Sequence, residues 1–156
     1  MSDYRTFVAE RFLKRTESAE GLIHVGVGMI GEVAEYYDAR DRHHQIEELG
    51  DIEFYWEAAH IVLGGIEPCP GGEFAPLLQG TSHFLDQAKK VWVYNKPIDR
   101  TEFCRGLIQV RSALTFLYDD LEITQEGSRQ ANMKKLLLRY PAGYTDALAL
   151  ERRDKA

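Results

Sequence analysis

The chain has 156 residues, of which 44% are hydrophobic and 28% charged, a balance typical of one globular domain over residues 1–156. The formal net charge of -6 argues against a general nucleic-acid-binding surface, because such surfaces neutralise phosphates with Lys and Arg. The longest apolar run is far shorter than the roughly 20 residues of a membrane span, and the amino terminus lacks a secretory-signal pattern. We therefore expect a cytosolic protein with no membrane-spanning segment. The two cysteines, Cys69 and Cys104, are too few for a disulfide framework or a cysteine zinc site.

Hydrophobic residues recur at helical spacing along most of the chain, and strict two-residue alternation is almost absent. The pattern predicts helices over residues 3–15, 18–40, 43–64, 74–94, 99–121 and 128–139, with a short helical turn over 145–152. Asp99 and Glu102 have the spacing of a capping box at the start of the fifth helix. The sequence therefore predicts an all-α bundle of antiparallel helices, in which a site would lie between facing helices.

The second predicted helix has a broad apolar stripe that includes Val27, Val33 and Tyr37, and we expect this stripe to face inward. The same helix contains several glycines, which are costly inside a helix. They indicate close packing against another backbone.

Two pairs of acidic residues lie on the second and third predicted helices. Glu32 and Glu35 are three residues apart, and Glu48 and Asp51 repeat this spacing, with thirteen residues from Glu35 to Glu48. Residues three apart share a helix face, and each pair lies beside hydrophobic residues, so we expect the carboxylates near the bundle interior. Converging carboxylates repel one another unless a hard divalent cation such as Mg²⁺ or Mn²⁺ binds them. The spacing therefore predicts a metal site between two consecutive helices.

Other interpretations of the acidic residues are weaker. A single pair of glutamates at this spacing is common on solvated helix faces, and only its recurrence on consecutive helices favours a metal site. We expect Glu47 to be a surface residue or to support a metal ligand, and we expect Glu53 and Glu57 to be surface residues off the metal-binding face or at its margin. Glu57 and His60 form one Glu-x-x-His motif, but a di-iron bundle needs a second copy, which this sequence lacks.

Gly-Met-Ile-Gly-Glu-Val-Ala-Glu at residues 28–35, followed by Glu-Glu-Leu-Gly-Asp-Ile at 47–52, resembles the MazG family of all-α nucleoside triphosphate pyrophosphohydrolases. The stretch from Asn132 to Tyr144 is similar to the carboxy-terminal block of its single-domain phage and bacterial members. The resemblance implies hydrolysis between the α and β phosphates, which yields a nucleoside monophosphate and pyrophosphate. It also implies two or more Mg²⁺ or Mn²⁺ ions and a homo-oligomer, either a dimer or a tetramer. The implied metal ligands are Glu32, Glu35, Glu48 and Asp51.

Glu35 and Glu48 are the candidate catalytic bases, since each could contact both a metal and its water. Lys135 and Arg139 are one helical turn apart, and the resemblance makes them candidates to bind triphosphate oxygens. The other candidate substrate contacts are Asn132, Tyr140, Lys90 and Arg153.

The substrate that we favour is a purine deoxynucleoside triphosphate, dGTP or dATP, on the basis of the phage-like single-domain form alone. Hydrolysis of dUTP or dCTP, or broad-specificity removal of damaged nucleotides, remains open. A helical interaction protein without turnover is the alternative from a different class. No nucleic-acid or membrane partner is expected, and the cytosol of a bacterium or a phage-infected host is the expected location.

Overall fold

The computed structural model describes residues 3–12, 18–65 and 75–140, and these residues form six α-helices and no strand. The helices are α1 (Tyr4–Phe12), α2 (Ala19–Asp38), α3 (Arg42–Val62), α4 (Leu77–Tyr94), α5 (Arg100–Asp120) and α6 (Gln125–Arg139). The predicted all-α class is confirmed, and the predicted turn over 145–152 lies outside the described residues. None of these helices combines the length and the apolar character that crossing a membrane requires.

Side-chain caps begin four of the helices, and they explain where the predicted boundaries hold or shift. The capping residues of α2, α3, α5 and α6 are Ser18, Asp41, Asp99 and Thr124. Asp99 Oδ1 accepts hydrogen bonds from the backbone of Thr101 and Glu102, which confirms the predicted start of α5. α6 begins three residues earlier than predicted, because the Thr124 hydroxyl accepts from the Gly127 N–H.

The helices pack around one hydrophobic core that takes residues from all six of them. Only three residues, 39–41, join α2 to α3, so these two helices run antiparallel. α2 packs against α3 and α4, α4 packs against α5, and α3 packs against α1 and α6. The largest fully buried hydrophobic side chains are Phe84, Phe103, Leu22, Met29, Leu49, Ile52, Leu63 and Leu114. α3 therefore lies between α2 and α6, the two helices that carry most of the other candidate site residues.

Two glycines let neighbouring helices approach closely. A Cβ atom at Gly26 would lie 3.2 Å from Leu85 Cα, so the predicted close backbone packing of α2 is confirmed there. The prediction is wrong at Gly31, where a Cβ atom would meet nothing within 4 Å. A Cβ atom at Gly50 would lie 3.1 Å from Asn132 Cβ, so this glycine brings α6 close to the part of α3 that carries Glu48 and Asp51.

Candidate metal centre

Three of the four predicted metal ligands meet between α2 and α3. One carboxylate oxygen from each of Glu32, Glu48 and Asp51 lies within 4.8 Å of the others. Glu48 is buried, with 4% of its surface exposed, while Glu32 and Asp51 are half-buried. Glu35 is exposed and outside this three-carboxylate cluster, but its negative charge helps to raise the pKa of Glu32 and Glu48. Helix periodicity therefore brings three acids together and leaves the fourth at the margin.

The three carboxylates oppose one another electrostatically. Burial raises the pKa of Glu32 from its ordinary value of 4.5 to about 8, and the charges of Asp51 and Glu48 add to the effect. Burial, followed by the charge of Asp51, also raises the pKa of Glu48. Burial raises the pKa of Asp51 although the Lys135 ammonium lowers it. A bound cation would relieve this repulsion.

α6 supplies the polar partners of Asp51. The Asn132 amide donates a hydrogen bond of 2.7 Å to Asp51 Oδ1, and the Lys135 ammonium pairs with Oδ2. Arg139 adds a second positive charge that lowers the pKa of Asp51. Asn132 is 2% exposed, and its Oδ1 accepts a 3.1 Å hydrogen bond from the Tyr4 hydroxyl. Two of the predicted substrate contacts, Asn132 and Lys135, therefore bind a predicted metal ligand directly.

His44 supports Glu48 and is a residue that the sequence reasoning missed. Its Nε2 lies 3.0 Å from Glu48 Oε1, and its Nδ1 accepts from the Arg40 backbone N–H at 3.4 Å. This arrangement leaves the proton on Nε2, which donates to the carboxylate. The spacing of four residues between His44 and Glu48 on a predicted helix was the available signal. Glu48 Oε2, in contrast, is buried and accepts no hydrogen bond from the residues that the structure describes.

Glu53, two residues after Asp51 on α3, lies in a different environment. Like Glu57, which is 7% exposed, it lies outside the three-carboxylate cluster as predicted, but the expectation of a surface residue is wrong for both, because the exposed fraction of Glu53 is 0%. It accepts hydrogen bonds of 2.8 to 2.9 Å from four side chains, those of Arg111, Tyr118, Gln125 and Arg129. Burial raises its pKa, but Arg111 and Arg129 outweigh burial and the net shift is downward. The fold thus satisfies this buried carboxylate fully.

No protein-family model, curated protein or solved structure matches the chain. The function must therefore be inferred from the site itself.

The other side chains predicted to contact substrate are Lys90, Tyr140 and Arg153. The Lys90 ammonium on α4 pairs with Asp86 Oδ2 at 2.6 Å. Tyr140 is buried at the end of α6, with the Arg139 guanidinium 5.9 Å from its ring centroid. Arg153 lies outside the described residues. Binding of substrate by these side chains stays a prediction.

A groove of about 290 Å³ opens between α3 and α6 beside the three-carboxylate cluster. Its lining is mixed: His43, Lys134 and Lys135 are basic, Glu47 is acidic, and Ile46 and Leu138 are apolar. Lys135 therefore lies both at the wall of this groove and against Asp51.

The raised pKa of Glu32 predicts the pH dependence of stability without metal. Because its pKa rises from 4.5 to about 8 on folding, the folded protein binds more protons than the unfolded chain in that interval. The free energy of unfolding should therefore fall as pH rises from 5 to 8, by at most about 1.4 kcal/mol per pH unit for this group. Urea unfolding in EDTA across this range measures the slope. Glu32→Gln should flatten it, and Glu20→Gln, an exposed position on α2, should not. Equal slopes for wild type and Glu32→Gln would contradict the prediction.

Proposed function

We propose that this chain hydrolyses a nucleoside triphosphate to a nucleoside monophosphate and pyrophosphate, using Mg²⁺ or Mn²⁺ ions held by Glu32, Glu48 and Asp51. The contrast between two groups of buried acids supports the metal site. Glu53 receives donors on both oxygens from the protein, and its pKa is lowered. Glu48 Oε2 accepts no hydrogen bond from the described residues, and the pKa of every acid in the cluster is raised. Lys135 pairs with Asp51, and a hydrogen bond joins Glu32 to Glu48, yet the net pKa shift of all three acids stays upward, which suggests that a cation completes this cluster.

The donor set fits a hard divalent cation. All three converging side chains are carboxylates, and hard oxygen donors favour Mg²⁺ or Mn²⁺ over softer metals. Mg²⁺ usually keeps several coordination positions for water and phosphate oxygens, so three protein ligands are sufficient for one ion. Glu35, one helical turn from Glu32 and exposed beside the cluster, is the candidate ligand for a second ion.

The surrounding side chains suit hydrolysis of a phosphate anhydride. Bound divalent cations would neutralise phosphate charge and lower the pKa of an attacking water. Lys135 and Arg139 place positive charge at Asp51, where they would attract triphosphate oxygens from the adjacent groove. Glu48 or Glu35 would accept the proton of the water as its oxygen bonds to phosphorus and the α–β bridge breaks. Attack at the α phosphorus releases pyrophosphate with the bridging oxygen, whereas attack at the β phosphorus leaves that oxygen on the nucleoside monophosphate.

The nucleotide part of the proposal is supported by the resemblance to MazG-like enzymes. Within it we favour dGTP or dATP, with dUTP, dCTP or a broad range of damaged nucleotides as alternatives. We also propose a cytoplasmic homo-oligomer, because exposed apolar side chains on α2 and α4, such as Val27, Leu78 and Trp92, suit burial against another subunit.

The test is a substrate panel. Purified protein is incubated with each ribo- and deoxynucleoside triphosphate in Mg²⁺ or Mn²⁺, and the products are separated by ion exchange. We expect monophosphate and pyrophosphate in equal amounts, with no reaction in EDTA and recovery on addition of Mg²⁺. Release of orthophosphate would contradict the proposed bond cleavage. Absence of any product across the panel would favour the interaction-protein alternative.

A further inference from the structure

A chain of hydrogen bonds connects the first helix to the three-carboxylate cluster. The Tyr4 hydroxyl donates to Asn132 Oδ1 at 3.1 Å, and Asn132 Nδ2 donates to Asp51 Oδ1 at 2.7 Å. Tyr4 is 6% exposed and Asn132 is 2% exposed, so solvent competes little for these bonds. α1 therefore acts on a carboxylate of α3 through a side chain of α6.

The direction of these two hydrogen bonds fixes the orientation of the Asn132 amide. An amide has one acceptor end and one donor end, and only the donor end can bind a carboxylate. Burial raises the pKa of the Tyr4 phenol, which keeps the hydroxyl protonated as a donor. Because Tyr4 donates to Oδ1, the NH₂ group of Asn132 must face Asp51.

The Tyr4 ring is itself held in place from two sides. The centroid of the ring lies 6.2 Å from that of Phe7 on the same helix, with the planes nearly parallel, and 4.9 Å from the Arg129 guanidinium of α6. Arg129 in turn binds Glu53 at 2.7 Å. Tyr4 is thus anchored by the same network that neutralises the structural carboxylate of α3.

We propose that Tyr4 and Asn132 are positioning residues that fix the carboxylate of Asp51 for cation binding. Each end of the Asn132 amide already bonds a protein group, and the side chain is 2% exposed at the wall of the α3–α6 groove, so its contribution is through Asp51. Side chains that hydrogen-bond to a metal ligand orient it and raise its affinity for the metal. The inference rests on the proposed function of the three-carboxylate cluster.

Tyr4→Phe tests the inference, and Tyr118→Phe is its matched control. Both remove one buried hydroxyl donor, but the Tyr118 hydroxyl donates to Glu53 Oε2 at 2.9 Å and has no bond to the Asn132 amide. Mn²⁺ affinity is measured by calorimetry and by the electron paramagnetic resonance signal of free Mn²⁺, with the melting temperature of each variant recorded. We expect Tyr4→Phe to weaken Mn²⁺ binding by about 10- to 100-fold, and Tyr118→Phe to leave it unchanged.

Asn132→Leu gives the second comparison, because it removes the amide at similar volume. If Tyr4 acts through Asn132, adding Tyr4→Phe to Asn132→Leu should cause no further loss of Mn²⁺ affinity. Additive losses would overturn the inference, as would a Tyr4→Phe variant that binds Mn²⁺ like wild type. In either case the proposed hydrolysis stands, provided that the wild-type protein binds Mn²⁺ and cleaves nucleotide. A wild-type protein that does neither would overturn both proposals.

Discussion

Glu48→Gln is expected to lower the rate of nucleotide hydrolysis by at least about 100- to 1,000-fold, the range for losing one group that stabilises transition-state charge. Glutamine keeps the side-chain volume but removes the charge that would bind a cation. Glu48 is the most buried member of the three-carboxylate cluster, and its Oε2 accepts no hydrogen bond within the described part of the chain. Rates of pyrophosphate release are measured over a Mn²⁺ titration, so that lost affinity is separated from lost turnover.

Stability provides a second readout for the same variant. Because Glu48→Gln removes repulsion among buried acids, the metal-free variant should unfold at a higher temperature than metal-free wild type. If Glu48 serves the metal site at a cost in stability, its replacement should lower activity and raise stability. If Glu48 only supports the fold, its replacement should lower stability. Lower stability together with unchanged hydrolysis would contradict the assignment of Glu48.

Glu47→Gln is the matched control. Glu47 is adjacent to Glu48 in sequence, and its side chain is 40% exposed. Its Oε2 lies 3.8 Å from His43 Nδ1, and the residue is outside the three-carboxylate cluster. We expect Glu47→Gln to retain most of the activity.

We also predict that Glu35→Gln abolishes hydrolysis and leaves the helical fold intact. Retained activity in Glu35→Gln would remove Glu35 from the site and leave the three-carboxylate cluster as the ligand set.

Helix periodicity explains why the cluster was predictable and why its edge was not. Glu48 and Asp51 flank buried Leu49 and Gly50, so spacing alone places them at the α2–α3 interface. A step of three residues rotates a side chain by about 60° around the helix axis, at roughly 100° per residue. This rotation is enough to carry Glu35 out of the interface that holds Glu32. Whether a residue at such an edge is covered depends on the neighbouring helix, which one helix pattern does not specify.

The same limit applies to the apolar stripe of α2. Val33 is buried as predicted, but the inward orientation predicted for Val27 and Tyr37 is wrong, since they are 55% and 61% exposed. At roughly 100° per residue, Tyr37 lies at the margin of the buried face of α2, and Val27 lies on nearly the opposite side of the helix from the centre of that face. Hydrophobicity shows which face of a helix can be buried, and the partner helices decide how much of it is.

Contacts between distant parts of the chain left no signal in local spacing. Tyr4 and Asn132 are 128 residues apart, and Arg111 is 58 residues from Glu53. A single glutamate on an amphipathic helix reads as a surface residue unless its cationic partners are known. The acidic cluster could be predicted because its members occur as local pairs, whereas the side chains that bind Asp51 and Glu53 come from the distant helices α5 and α6.

Glu53→Ala is expected to lower the free energy of unfolding by about 3–5 kcal/mol, the cost of removing one partner from a buried ion pair. The substitution leaves the guanidinium groups of Arg111 and Arg129 without their shared carboxylate, and it removes the acceptor for Tyr118 and Gln125. Urea unfolding at pH 7 measures the loss. Glu10→Ala is the control, because Glu10 has a 62% exposed side chain in a 3.6 Å pair with Arg11, and it should cause no resolvable change.

The pH dependence of the same variant separates the two acidic groups. The pKa of Glu53 is lower in the fold than in the unfolded chain, so its stabilisation is present above the ordinary glutamate pKa of 4.5 and is lost as pH falls. Glu32 has the opposite shift and destabilises the metal-free fold as pH rises towards 8. Glu53→Ala should therefore remove part of the acid-side loss of stability and leave the alkaline-side loss unchanged. If Glu53→Ala also removed the loss of stability at alkaline pH, Glu53 and Glu32 would titrate together. That result would contradict the difference between their environments that supports the proposed metal site.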